Sequence, residues 1–130
     1  MLPPDFEKRF PQTKEISFTD FINFLNQAKA ENPDTQFALT LGVNPNLMRK
    51  KYPNICFVSK DEISDIIFNG KPINLTKYEL LLTQGPFSDV YLSPTMADKD
   101  PGFWQAMHNE HGIHITEVNV EGEIMSSTRL

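Results

Sequence analysis

The chain has 130 residues, 39% of them apolar and 22% charged, and a net charge of -5. That length fits one domain, and the apolar share excludes a disordered chain. The acidic balance removes the usual driving force for contact with phosphate backbones or anionic membranes, and no stretch approaches the ~18 apolar residues of a membrane span.

Residues 1–15 carry three prolines and many charges, which predicts an extended arm ahead of a single domain over residues 16–130. The arm has no apolar core of the kind a signal peptide needs, so a cytoplasmic chain is expected; export by a specialised machine needs no such segment. From Ser17 onward, Phe18, Phe21, Ile22, Leu25 and Ala28 recur with helical spacing. Ser17 is placed to cap this first helix and Ile16 to staple against Phe21. Residues 37–41 alternate as a strand with Phe37, Leu39 and Leu41 on one face. Asn44-Pro45 opens a short helix ending before Pro53, because proline at the first helical position forfeits no needed N–H. The basic run Arg49-Lys50-Lys51 falls near that helix's end, where cations complement its dipole.

Ile55-Cys56-Phe57-Val58 is apolar on both faces, the pattern of a central strand covered by helices. Ser59-Lys60-Asp61-Glu62 follows as a capping box, opening a helix to about Phe68 that Asn69-Gly70 stops. Thr76-Lys77-Tyr78-Glu79 has the form of a second box, opening a helix to about Gln84 that Gly85-Pro86 ends. Residues 89–92 form a third strand. Residues 93–100 read as a loop between strand and helix, where open α/β sheets tend to bind ligands, with Asp98 and Asp100 as turn and cap residues. Asp100-Pro101 opens a helix ending at Gly112, with Phe103, Trp104 and Met107 expected in the core. Over residues 113–120 the apolar positions change parity, from Ile113 and Ile115 to Val118 and Val120. That change calls for a bulge or break near Thr116 or Glu117. Glu121-Gly122 then turns into a last short strand over 123–127. The predicted architecture is a single α/β domain, with a mixed sheet flanked by about five helices and a C-terminal β-hairpin.

Nucleotide, metal and nucleophile motifs of the common kinds are missing: there is no Walker loop, GxGxxG, CxxC pair, HExxH or GxSxG. Cys56 excludes an internal disulfide and, inside an apolar run, reads as a small buried hydrophobe. The unusual feature is His108-Asn109-Glu110-His111-Gly112-Ile113-His114, which holds all three histidines within seven residues. His108 and His111 lie on one side of a helix with Trp104, and His114 begins the next strand. Together they form a candidate set for a divalent transition metal or for acid–base work; the alternative is helix-end imidazoles favoured by the dipole. Ile113-His114-Ile115-Thr116 also resembles one half of the H-x-T signature of two-histidine phosphoesterases. That chemistry needs a second such strand, and the chain has no second H-x-T.

Phe57-Val58-Ser59-Lys60-Asp61-Glu62, a leucine-rich helix over 77–83 and Val90-Tyr91-Leu92-Ser93-Pro94 together resemble the SseB-like (enhanced serine sensitivity) N-terminal domain over residues 55–94. In that family a strand ends in F-[TS]-x-x-E and a later apolar strand ends in N-P; here Ser93 stands in place of the asparagine. The resemblance implies an accessory or binding role of bacterial type and carries over no functional residue.

Size, charge and the missing catalytic sets lead to one expectation: a small acidic protein-binding domain of the inhibitor, immunity, secretion-accessory or adaptor type. It would use no cofactor and contact a protein partner with a basic surface, not nucleic acid or a membrane. Glu117, Glu121 and Glu123 are the candidate contact acids, because the terminal hairpin is expected to be exposed. The alternative is an enzyme or metal-binding protein built on His108, His111 and His114.

Overall fold

The structure, a computed structural model, describes residues 17–68 and 70–128. The expected arm over 1–15, the Ile16 staple and Asn69 lie outside the described residues. Six helices and five strands form among the described residues: α1 (Phe18–Glu31), β1 (Gln36–Leu41), α2 (Pro45–Lys51), β2 (Ile55–Ser59), α3 (Lys60–Ile67), α4 (Leu75–Gln84), β3 (Phe87–Leu92), α5 (Pro94–Lys99), α6 (Pro101–His111), β4 (His114–Val118) and β5 (Ile124–Ser127). The strands lie in the order β2-β1-β3-β4-β5. The first four are parallel, and β5 returns antiparallel to β4. The chain is thus mixed α/β with a C-terminal hairpin. Strand order reverses between β1 and β3, since β1 leads outward to β2 and β3 leads the other way to β4.

The two faces of the sheet are covered unequally. Phe21, Ile22, Leu25 and Ala28 of α1 pack with Ile63, Tyr78, Leu81, Trp104 and Met107 over Phe37, Leu39, Leu41, Val90 and Leu92. The opposite face carries a smaller cluster, in which Met48 of α2 meets Ala38, Phe57, Tyr91 and Val118. Burying each such large side chain stabilises the fold by about 1.5–3 kcal/mol. The alternation read over 37–41 is therefore real, yet Ala38 and Thr40 on the other parity are buried as well.

Ser17 and Ser59 cap the helices expected of them, whereas Asp100, expected to cap α6, makes no side-chain capping bond. Ser17 Oγ accepts from Asp20 N at 3.0 Å. Ser59 Oγ accepts from Glu62 N at 3.1 Å while Glu62 Oε1 accepts from Ser59 N at 2.9 Å, closing the expected box. Three further readings change. The helix expected to be capped by Thr76 begins at Leu75, and Asn74 caps it by accepting from Lys77 N at 2.9 Å. The segment read as a loop over 93–100 holds α5, with Ser93 as its cap and Pro94 at its first position. Ser93-Pro94 is the same grammar as Asn44-Pro45, so the signal was present. Finally, β2 lies at an edge of the sheet among the described residues, not at its centre. It is apolar on both faces because Cys56 and Val58 face the larger cluster while Phe57 faces α2, its ring 5.3 Å from that of Tyr91. Arg49 reaches across this edge strand and donates to the Phe57 carbonyl at 2.8 Å and to Glu62 at 2.6 Å.

The parity change in β4 has two components. Ile113 and Ile115 join the helix-covered cluster while Val118 joins the other, so opposite parities serve opposite faces. The pairing with β5 also shifts register between Glu117 and Val118. Val120 belongs to the turn beyond, and faces solvent.

Candidate functional site

The C-terminal ends of parallel strands form a crevice where strand order reverses, which is where open α/β sheets tend to hold ligands. Here the loops after β1 and β3 border a cleft of about 780 Å³ at that reversal. Gly42 turns the chain out of β1 at φ 72°, and a Cβ at this position would lie 2.6 Å from both Met96 Cγ and Ser93 Oγ. The caps beside it are already engaged: Asn44 Oδ1 accepts from Asn46 N and Leu47 N, and Ser93 Oγ accepts from Met96 N. What remains for contact is mostly apolar, namely Val43, Leu47, Met96, Val120 and Met125. Val120 is 94% exposed and Met125 58%.

The hairpin turn that carries Val120 is tied together by Asn119. Asn119 Oδ1 accepts from Glu121 N at 2.9 Å and from Glu123 N at 3.0 Å, and its Nδ2 donates to Glu123 Oε1 at 3.2 Å. The Asn119 hydrogen bond holds the Glu123 carboxyl below its ordinary pKa, so it stays ionised at neutral pH. Tyr52 Oη donates to Gly122 O at 3.1 Å, fastening the turn to the segment after α2. Glu121 and Glu123 are exposed side by side on this turn. Glu117, expected to act with them, is half-buried and lines a different cleft, with Trp104 and His108 of α6.

The histidines are only partly gathered. The His108 ring centroid lies 6.3 Å from that of His114, and His108 Nδ1 lies 3.0 Å from the Ile113 carbonyl. His111 is exposed at the end of α6. Among the described residues no three histidine, cysteine, aspartate or glutamate side chains come together as a metal would require. His108 instead lines the same cleft as Glu117.

Several residues of these sites escaped the sequence. Val120 looked like a core position by alternation, and only the position of the turn exposes it. Met96 was hidden because α5 read as a loop. Asp89 is fully buried on β3, accepting hydrogen bonds from Gln36 Nε2 and Ser88 Oγ, and it is in register with His114 on β4. No local pattern marks an aspartate for burial inside a strand. Trp104 was rightly assigned to the core, but its Nε1 is buried without a hydrogen-bond acceptor. No known protein family, curated protein or solved structure matches the chain.

Proposed function

We propose that the protein is a binding module that engages a partner protein through the apolar cleft at the strand-order reversal and the acidic turn beside it. The observation that supports this reading is the exposure of Val120 and Met125, 94% and 58%, at the mouth of an apolar cleft. Interfaces combine an apolar centre with a polar rim, and methionine adapts its shape to what it meets. Glu121 and Glu123 supply the rim and set its sign. The fitting partner presents an apolar side chain flanked by lysine or arginine, and charge complementarity governs how fast the two meet.

The test is recovery of a partner at low salt from cells that make the protein, followed by titration of the purified pair. Val120→Asp should abolish binding, because it places a charge at the apolar centre. Glu121→Lys with Glu123→Lys should slow association more than it speeds dissociation. Binding unchanged in both variants would move the interface elsewhere. Failure to recover any protein partner at low salt would sink the binding-module reading itself.

A further inference from the structure

Three of the chain's five methionines, Met48, Met96 and Met125, line the cleft at the strand-order reversal. Methionine adapts to what it packs against, and its thioether is also open to oxidation. The three lie at different depths. Met48 is fully buried under the hairpin turn, where a Cβ on Gly122 would come within 3.3 Å of its Sδ. Met96 is half-buried against the turn out of β1, its Cγ 2.6 Å from where a Cβ on Gly42 would stand. Met125, on β5, is 58% exposed, while Met107 of the core is 2% exposed.

Oxidation of a thioether follows access, since the sulfur must meet the oxidant in solution. Among the described residues Met125 is the methionine with most of its surface in water. Hydrogen peroxide suits the position, because it is small and uncharged and so is not repelled by the exposed Glu121 and Glu123 of the neighbouring turn. A sulfur lone pair attacks one peroxide oxygen and the O–O bond breaks. The proton on the transferred oxygen moves to the departing hydroxide, leaving methionine sulfoxide and water. Sulfur gives up two electrons and the peroxide takes them. A flexible apolar side chain thereby becomes a polar acceptor, which is costly to bury where no donor meets it.

We infer that Met125 is a reversible oxidation site, with hydroperoxides as the oxidant class, that turns the mouth of this cleft from apolar to polar. Met48 and Met96 keep their thioethers, so the floor of the cleft survives while its rim changes. Reversal takes two thiols, which return the sulfoxide to thioether and leave a disulfide and water, a reaction that methionine sulfoxide reductases catalyse. The consequence for binding rests on the reading of this cleft as the partner surface: oxidation of Met125 releases the partner, and reduction restores it.

The test starts with the protein alone. Folded protein is treated with hydrogen peroxide, and peptide mass spectrometry follows the gain of one oxygen at each methionine. Met125 should oxidise roughly tenfold or more faster than Met48 and Met107, with Met96 between them. Nile red, a neutral dye that brightens on apolar surface, should dim on oxidation and recover after treatment with thiol and the reductases for both sulfoxide epimers. In Met125→Leu the same peroxide dose should leave that variant's own dye signal where it started. With the partner added, oxidised wild type should bind roughly tenfold or more weakly than reduced wild type. Met125→Gln, which sets a polar group at the same point, should bind weakly with or without peroxide. Met48 or Met107 oxidising as fast as Met125, or a dye signal indifferent to Met125 sulfoxide, would overturn the assignment. Met125 oxidising first and dimming the dye, while partner binding ignores both Met125 sulfoxide and Val120→Asp, would uphold the oxidation site and sink the binding reading instead.

Discussion

Cys56 shows how a single side chain is controlled by its surroundings. It is fully buried on β2, and burial pushes its thiol from an ordinary value of 9.0 to about 11. At neutral pH it is a protonated, inaccessible group, so a thiol reagent should react only once denaturant is added. Rapid labelling of native protein would show that β2 opens. The same burial sets a pH dependence. Below pH 9 the thiol keeps its proton in both folded and unfolded chains and adds no slope. Between 9 and 11 only the unfolded chain ionises, so stability falls, by about 2–3 kcal/mol across that window. Urea melts of wild type and Cys56→Ala should therefore converge as pH rises from 9 to 11, the wild type losing its advantage. Tyr78, pushed up to about 12 by burial with Asp61 adding to it, steepens the decline for both proteins equally. A second residue-level prediction follows from the caps. Asn74→Ala should cost about 0.5–2 kcal/mol, whereas Thr76→Ala, inside the first turn and exposed, should cost at most a few tenths. Equal losses in thermal melts would return the cap to Thr76.

At the scale of elements, the helices were the most legible, because caps and apolar spacing are local. Ser17, Ser59 and Asn44 announce their helices in the sequence and bond as their types require. The segment Asn74-Leu75-Thr76 contains two capping residues, and sequence alone could not rank them. Asn74 wins since starting there adds Leu75 and Thr76 to the helix while Asn74 Oδ1 still reaches Lys77 N. Strand position was less legible than strand existence. Residues of β2 are apolar on both faces whether the neighbour is another strand or, as here, an edge crossed by Arg49. Edge and centre differ in hydrogen bonding along the strand, which side-chain pattern does not encode. The turn after β1 gives a third prediction. Gly42 has φ 72° and no room for a Cβ, so Gly42→Ala combines a left-handed conformation with a 2.6 Å clash. It should lower stability by about 1–3 kcal/mol and rearrange Met96 and Ser93 at the cleft. An unchanged melting temperature would mean that this turn relaxes freely.

For the whole molecule, the lopsided covering of the sheet decides where the candidate site can lie. Among the described residues five helices occupy one face and α2 with the hairpin turn the other, and the cleft between the two coverings lies at the C-terminal ends of β1, β3 and β4. That position depends on strand order, which joins Gly42, Ser93 and Val120 from far apart in the chain. Charge was readable from composition, but the division of the acids between two clefts was not, since it rests on which face of β4 Glu117 takes. With a partner in hand, the association rate should fall as salt rises through the physiological range while the dissociation rate changes less. Stopped-flow mixing at several salt concentrations measures both, and a salt-independent association rate would remove the electrostatic part of the proposal.

Arg49 and Glu62 have a further consequence, in the order of folding events. Glu62 Oε1 accepts from both Arg49 and the Ser59 backbone, and Arg49 also donates to Phe57 O. One carboxylate thus ties α2, β2 and the start of α3 into a unit whose contacts span at most 13 residues. Short loops close at little entropic cost, so this segment can organise before β4 finds β3 or β5 finds β4. Glu62→Gln should accordingly slow refolding and leave unfolding nearly unchanged, whereas Thr116→Val, in the late-joining strand, should mainly speed unfolding. Chevron plots of the two variants, moving on opposite limbs, would record the sheet growing outward from its Arg49-crossed edge.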